Sequence, residues 1–164
     1  MLTFHTDNSD VALSAGEGRS FWFLADLHTF KAVSEDTNGA YCMSEVTFTP
    51  GAGAPPHIHH REDEAFYVVA GQFEFGYDGR TFTAGPGTLV YLPKGRVHTH
   101  GAVGTVPGRA IVIHTPAGLE RFIAEAGTPA ADLTGSAPAL DMAAFERVVA
   151  IAKKYDIEVP PPSA

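Results

Sequence analysis

At 164 residues the chain has the size of one domain, and 45% hydrophobic with 18% charged residues describe a soluble globular protein, neither disordered nor membrane-spanning. Eleven Lys and Arg against nineteen Asp and Glu leave a net charge of −8, which argues against a nucleic-acid or membrane surface, and no local basic patch offsets it. The single cysteine, Cys42, has no intramolecular disulfide partner, no apolar run nears membrane-spanning length, and the N-terminus lacks a signal-peptide pattern, so a cytoplasmic protein is expected.

Seventeen glycines and twelve prolines, spread without a period, predict many short strands joined by tight turns. Residues 1–40 read as an arm and strands of the same domain, with Phe21 to Leu24 as a first strand or arm. Tyr41 to Thr49 alternates, placing Cys42, Ser44, Val46 and Phe48 on one face, as a half-buried strand does. Two β-rich runs follow, Glu64 to Ala70 and Gln72 to Tyr77, broken by Gly71. Asp78-Gly79 is a strong hairpin signal between Gln72–Tyr77 and Arg80–Thr83. A Gly85-Pro86-Gly87 corner leads to a strand from Thr88 to Leu92, the turn Pro93-Lys94-Gly95, and strands near Val97–His100 and Arg109–His114. Strands at roughly ten-residue spacing predict a β-sandwich or barrel.

Beyond the 41–115 core the pattern turns helical. Thr115 and Pro116 are placed to start a short helix with Leu119, Phe122 and Ile123 as its apolar stripe and Gly127 as its end. Residues 128–140 read as a connection. Asp141 opens a second helix in which Met142, Phe145, Val148, Val149 and Ala152 recur at helical spacing, with Lys153 and Lys154 in its last turn. Ile157 to Pro162 reads as extended. Residues 116–164 thus form a helical appendage, a lid or a dimer-packing element.

Eight histidines are the anomaly of the composition, because five of them fall in two short segments. His57 and His59 are two apart, so on a strand both imidazoles leave one face about 7 Å apart and converge on one metal ion, while His60 points away to solvent. Glu64 opens the next strand, where it adds an anionic oxygen, and His98 arrives from a different strand after the Pro93-Lys94-Gly95 turn. The rest of the Arg61–Glu64 charge run reads as a solvated turn.

The spacing Gly51-x5-His57-x-His59-x4-Glu64-x6-Gly71 resembles the first cupin motif, and Gly87-x5-Pro93-x-Gly95-x2-His98 resembles the second. One position departs: where the family has Asn after the second motif's histidine, this chain has Ala102, and that Asn is not a metal ligand. The resemblance implies an all-β fold, the double-stranded β-helix or jelly-roll barrel with short C-terminal helices. It also implies one divalent metal ion per chain, held by His57, His59, Glu64 and His98. Iron, nickel or manganese suit such a donor set best, with cobalt and zinc also compatible. The stretch from Pro55 to Tyr67, with Thr115-Pro116-Ala117-Gly118, is similar to the small cupins related to bacterial quercetin 2,3-dioxygenase. That likeness implies a homodimeric enzyme acting on a small aromatic substrate and O2, with Glu64 as both ligand and catalytic base. The alternatives are a redox-neutral isomerase, cyclase or lyase, and a small-molecule binding protein without turnover.

Alternation from Glu64 turns Phe66 and Val68 inward, with Phe73, Phe75 and Tyr91 as further candidates for a substrate-pocket wall; filling a small barrel explains the same residues. His100 shares a face with His98 and is either a support for the ligands, an alternative ligand or a surface residue. His5, His28 and His114 have no partner legible in the sequence. Cys42 reads as a small buried apolar residue with nothing basic beside it, and Glu45 faces either the interior or solvent.

Overall fold

The computed structural model describes residues 12–161, so His5 and the start of the arm lie outside the described residues. In chain order the elements are β1 (Arg19–Phe23), β2 (Asp26–Ala32), α1 (Ser34–Thr37), β3 (Cys42–Phe48), β4 (Gly53–His59), β5 (Asp63–Ala70) and β6 (Gln72–Tyr77). They continue as β7 (Arg80–Ala84), β8 (Leu89–Leu92), β9 (His98–Val103), β10 (Gly108–Thr115), α2 (Leu119–Ala126), β11 (Thr128–Pro129), α3 (Met142–Ala152) and β12 (Ile157–Glu158). A seven-stranded sheet in the order β11-β1-β2-β3-β10-β5-β8 faces a five-stranded sheet in the order β12-β4-β9-β6-β7. The paired strands are antiparallel, and the result is the expected double-stranded β-helix with helices at its C-terminal end.

The alternating strand signals translate directly into orientation. On β3, Cys42, Ser44, Val46 and Phe48 are buried and the residues between them are not. The Asp78-Gly79 hairpin forms as predicted, with Tyr77 opposite Arg80. Gly71 turns the chain from β5 to β6 at φ +80, and a Cβ there would come within 2.8 Å of the Gly108 backbone, so glycine is required. β2 has no counterpart among the sequence expectations. It lies between β1 and β3 and is buried at Asp26, Leu27, Thr29 and Phe30, which erases the period-two pattern.

Among the described residues there are two hydrophobic clusters. Phe48, Phe66, Val68, Phe73, Phe75 and Leu92 occupy the barrel interior. The other cluster joins Phe21, Phe30 and Cys42 to Phe122, Ile123 and Ile151, so the helices share a core with the N-terminal strands. Burial of Phe122 and Ile123 contributes roughly 2 kcal/mol each to holding α2 in place.

Both helices differ from expectation in detail. α2 begins at Leu119, not at Pro116, because Gly118 is its N-cap at φ 145 and the Glu120 carboxylate accepts the Gly118 N–H at 2.8 Å. α3 is capped by Asp141, whose Oδ1 accepts the Ala144 N–H at 2.8 Å. Its buried face is Val148, Ile151 and Ala152, whereas Met142 is 72% exposed at the helix start. Among the described residues no helix is long and apolar enough to cross a membrane.

Candidate metal centre

β4 sends His57 and His59 from one face, their rings 5.0 Å apart. Its two edges are pinned: His57 is opposite His98 on β9, and His59 is opposite Ile157 on β12. The Pro93-Lys94-Gly95 turn is tied to the same strand, since Gly95, at φ +76, donates its N–H to the His59 carbonyl at 2.8 Å. That turn delivers His98. Glu64 comes from the facing sheet, where it is opposite Leu92 of β8 and His114 of β10, and His114 is in turn opposite Cys42 of β3.

One donor atom each from His57, His59, Glu64 and His98 lies within 4.8 Å of all the others, and all four residues are buried. The His57 Nδ1–H donates to the Pro55 carbonyl at 2.8 Å and the His98 Nδ1–H to the Arg96 carbonyl at 3.0 Å, which turns each Nε2 toward the centre. Burial lowers the His57 pKa to about 4 and holds His59 well below the ordinary imidazole range, so both are uncharged lone-pair donors at pH 7. Three imidazoles and one carboxylate in this arrangement fit a divalent metal site.

Glu64 is held from two sides. Its Oε2 lies 3.1 Å from His98 Nε2 and its Oε1 accepts from His114 Nε2 at 2.8 Å. Burial, the largest single influence, favours the neutral acid, but the charge and hydrogen bond of His114 and the hydrogen bond of His98 together outweigh it and keep Glu64 well below the usual carboxylate range. The converse holds for His114, where burial is outweighed by Glu64 and Cys42 together and the pKa rises to about 10.

Sequence reasoning missed this partner of Glu64, although His114 has the same strand parity as the buried Ala110 and Val112. Cys42 is likewise not without a basic neighbour. Its thiol meets both His114 and the buried Glu120, whose carboxylate reaches the Ser34 hydroxyl. Nor is the 61–64 run wholly a solvated turn. Glu62 is 2% exposed, and its Oε2 lies 3.9 Å from His59 Nδ1, too far for a hydrogen bond, with neither atom hydrogen-bonded. His60 does face outward, paired with Glu158 at 2.9 Å, and Glu45 pairs with Arg109 on the outer face.

Three of the four cluster residues border a cavity with about 80 Å³ accessible to water-sized molecules. Its floor includes His57, His59 and Glu64, and its roof is Phe122, Phe145 and Val148 from α2 and α3. Phe66 lines it. Val68, Phe73 and Phe75 do face inward, but they pack in the barrel cluster below Phe66 and do not line the cavity. Tyr91 is 57% exposed, because the β8 register places Leu92 beside Glu64 and turns Tyr91 to the outer face with Ala65. His100 is inside, its ring 4.8 Å from Phe66 and 5.7 Å from His57, outside the four-donor cluster.

Asp26 also lines the cavity, with its Oδ1 accepting the Thr49 N–H at 2.8 Å. Burial outweighs that bond and raises the carboxyl pKa to about 7. A raised acid is most stabilising when protonated, so its contribution is full below about pH 4 and is lost as the pH climbs through about 7. Asp26→Asn is therefore expected to gain roughly 1–3 kcal/mol at pH 8 and little at pH 4 in urea unfolding. An equal gain at both pH values would contradict the assignment.

Residues 44–114, somewhat under half of the chain, match the family described as Cupin domain. The mannose-1-phosphate guanylyltransferase of Escherichia coli strain K12 is 30% identical over 87 residues, 53% of this chain but 18% of that protein. Germin-like protein subfamily 1 member 4 of Arabidopsis thaliana is 34% identical over 79 residues, 43% of this chain and 35% of that protein. The chain therefore spans only a minor part of the curated relatives it matches. Among solved structures, KdgF from Halomonas sp. is 25% identical with a TM-score of 0.53, covering 59% of this chain and 84% of that one. A predicted oxalate decarboxylase from Thermotoga maritima shares the fold at 18% identity and a TM-score of 0.53, covering 56% and 80%. Over residues 44–114 the chain is thus similar to the Cupin domain family, and these solved structures share its fold.

Proposed function

We propose that this chain is a metal-dependent enzyme of the cupin superfamily, a dioxygenase that cleaves a flavonol-like or other enolisable aromatic compound. The observation that carries the reading is that three members of the buried four-donor cluster, His57, His59 and Glu64, line a cavity with mainly aromatic and aliphatic walls. In it, His57, His59, His98 and Glu64 hold the ion. A bound iron, nickel or manganese ion supplies redox chemistry between substrate and O2. Phe66, Phe122 and Phe145 hold a flat ring and keep bulk water from it. Glu64 accepts the enol proton at a carboxylate oxygen, and His114 steadies the carboxylate from its other side.

The test uses separate iron, nickel, manganese and zinc loadings in an oxygen electrode with a flavonol. Oxygen uptake is expected with the first three and not with zinc, which has no redox chemistry. Glu64→Gln keeps the size and one oxygen of the side chain but removes its basicity. Its turnover per bound metal is expected to fall at least about a hundredfold, about 2.7 kcal/mol, with partial recovery when the substrate is supplied pre-ionised at higher pH. Turnover of a substrate by the zinc form without O2 would point to a redox-neutral isomerase, cyclase or lyase. Binding without product in every metal form would point to a non-catalytic protein.

A further inference from the structure

We infer that Glu62 is a positioning residue of the metal centre: its carboxylate accepts the His59 Nδ1–H when the ion is held, fixes the tautomer of that ring and strengthens it as a ligand. The inference rests on the metal-binding half of the functional reading above and adds a residue from outside the four-donor cluster.

The three histidines of the cluster are supported unequally. His57 and His98 each give the Nδ1–H to a backbone carbonyl two residues earlier, at 2.8 and 3.0 Å. His59 Nδ1 has no such bond, is buried, and faces Glu62 Oε2, itself buried and unbonded, at 3.9 Å. That separation is too long for a direct hydrogen bond and too short to take a water between the two atoms, which needs two bonds of about 2.8 Å each. Two orphaned polar atoms facing one another inside a protein carry a cost unless some state of the molecule pairs them.

Metal binding defines that state. A neutral imidazole has one N–H and one lone pair, so a ring that gives its Nε2 lone pair to an ion carries its proton on Nδ1 and needs an acceptor there. An ionised carboxylate is acceptor only, and a shift of about 1 Å brings the Glu62 oxygen into bonding range. The backbone holds the side chain in place for this. On one side the His60 N–H donates to the Asp156 carbonyl at 3.0 Å, and on the other Asp63 Oδ1 accepts the Lys94 N–H at 2.9 Å. Between these anchors His60 and Arg61 stay exposed while Glu62 turns in and is buried. A carboxylate in a charged surface turn ordinarily stays in water, so burial beside a ligand ring marks this one out. A carboxylate behind an imidazole raises the basicity of the ring, which makes His59 the strongest of the three imidazole donors.

Proton NMR of the zinc-loaded protein with isotope-labelled histidine, combined with chelator competition for zinc, tests the assignment. In wild type the His59 Nδ1–H signal is expected at lower field than those of His57 and His98, whose acceptors are neutral carbonyls. Glu62→Gln, which keeps an oxygen but not the charge, should move the His59 signal upfield and leave the other two in place. Its zinc affinity should fall roughly tenfold, and that of Glu62→Leu by up to about a hundredfold. A wild-type His59 signal no further downfield than the other two overturns the inference whatever the variants do, and so does wild-type zinc affinity in Glu62→Leu. Equal loss of thermal stability by the metal-free and zinc-loaded forms of both variants overturns it too, by making Glu62 structural. No zinc binding by the wild-type protein overturns both the inference and the metal-dependent reading. The expected NMR and affinity results, alongside no oxygen uptake in any metal form, support the inference and overturn the dioxygenase reading alone.

Discussion

Alanine in place of His98 is expected to empty the metal centre. His98 is the β9 member of the cluster, in direct register with His57 and hydrogen-bonded to Glu64 at 3.1 Å. Removing it takes one of four converging donors and leaves a gap in a buried pocket that no neighbouring side chain of the cluster fills. Loss of a supporting group alone typically costs ten- to a hundredfold in metal affinity, so loss of a ligand should cost at least about a hundredfold. His57→Ala should do the same from the opposite strand. Elemental analysis of purified protein, compared with His60→Ala as a surface control, is the measurement. Full metal content in the His98→Ala protein would show that the ligand set is wrong, and His100, two residues further along β9, would be the replacement to test.

Replacing His114 by phenylalanine is expected to destabilise the metal-free protein strongly and the metal-loaded protein much less. In the metal-free state the His114 imidazolium is the main charge that keeps buried Glu64 ionised. Breaking a buried pair by removing one partner typically costs about 3–5 kcal/mol, because an uncompensated charge remains inside. For a chain of this length that corresponds to a fall in Tm of roughly 6–20 °C. A divalent ion on Glu64 supplies the missing positive charge and should recover most of the loss. Thermal unfolding of wild type and variant, each with and without added metal, reads out the difference. An equal fall in both states would mean that His114 contributes packing alone and that its charge does not matter to Glu64.

Much of the metal cluster was legible in the linear chain because its information is local. A spacing of two on a strand puts His57 and His59 on one face wherever that strand goes, and the Pro93-Lys94-Gly95 turn announces the reversal that brings in His98. The alternation of β3 and the Asp78-Gly79 hairpin were readable for the same reason. Everything that depends on register between distant strands was not. Tyr91 points outward because Leu92, not Tyr91, aligns with Glu64, and His114 meets Glu64 and Cys42 because β10 lies between β5 and β3. Periodicity gives each residue's parity along its own strand but not which residue of another strand it faces, and a one-residue slip inverts every assignment. The cavity roof was hidden in the same way: a helical stripe at Phe122, Phe145 and Val148 says that something apolar will cover it, and only the folding of α2 and α3 across the barrel mouth decides that this is the space above a metal site.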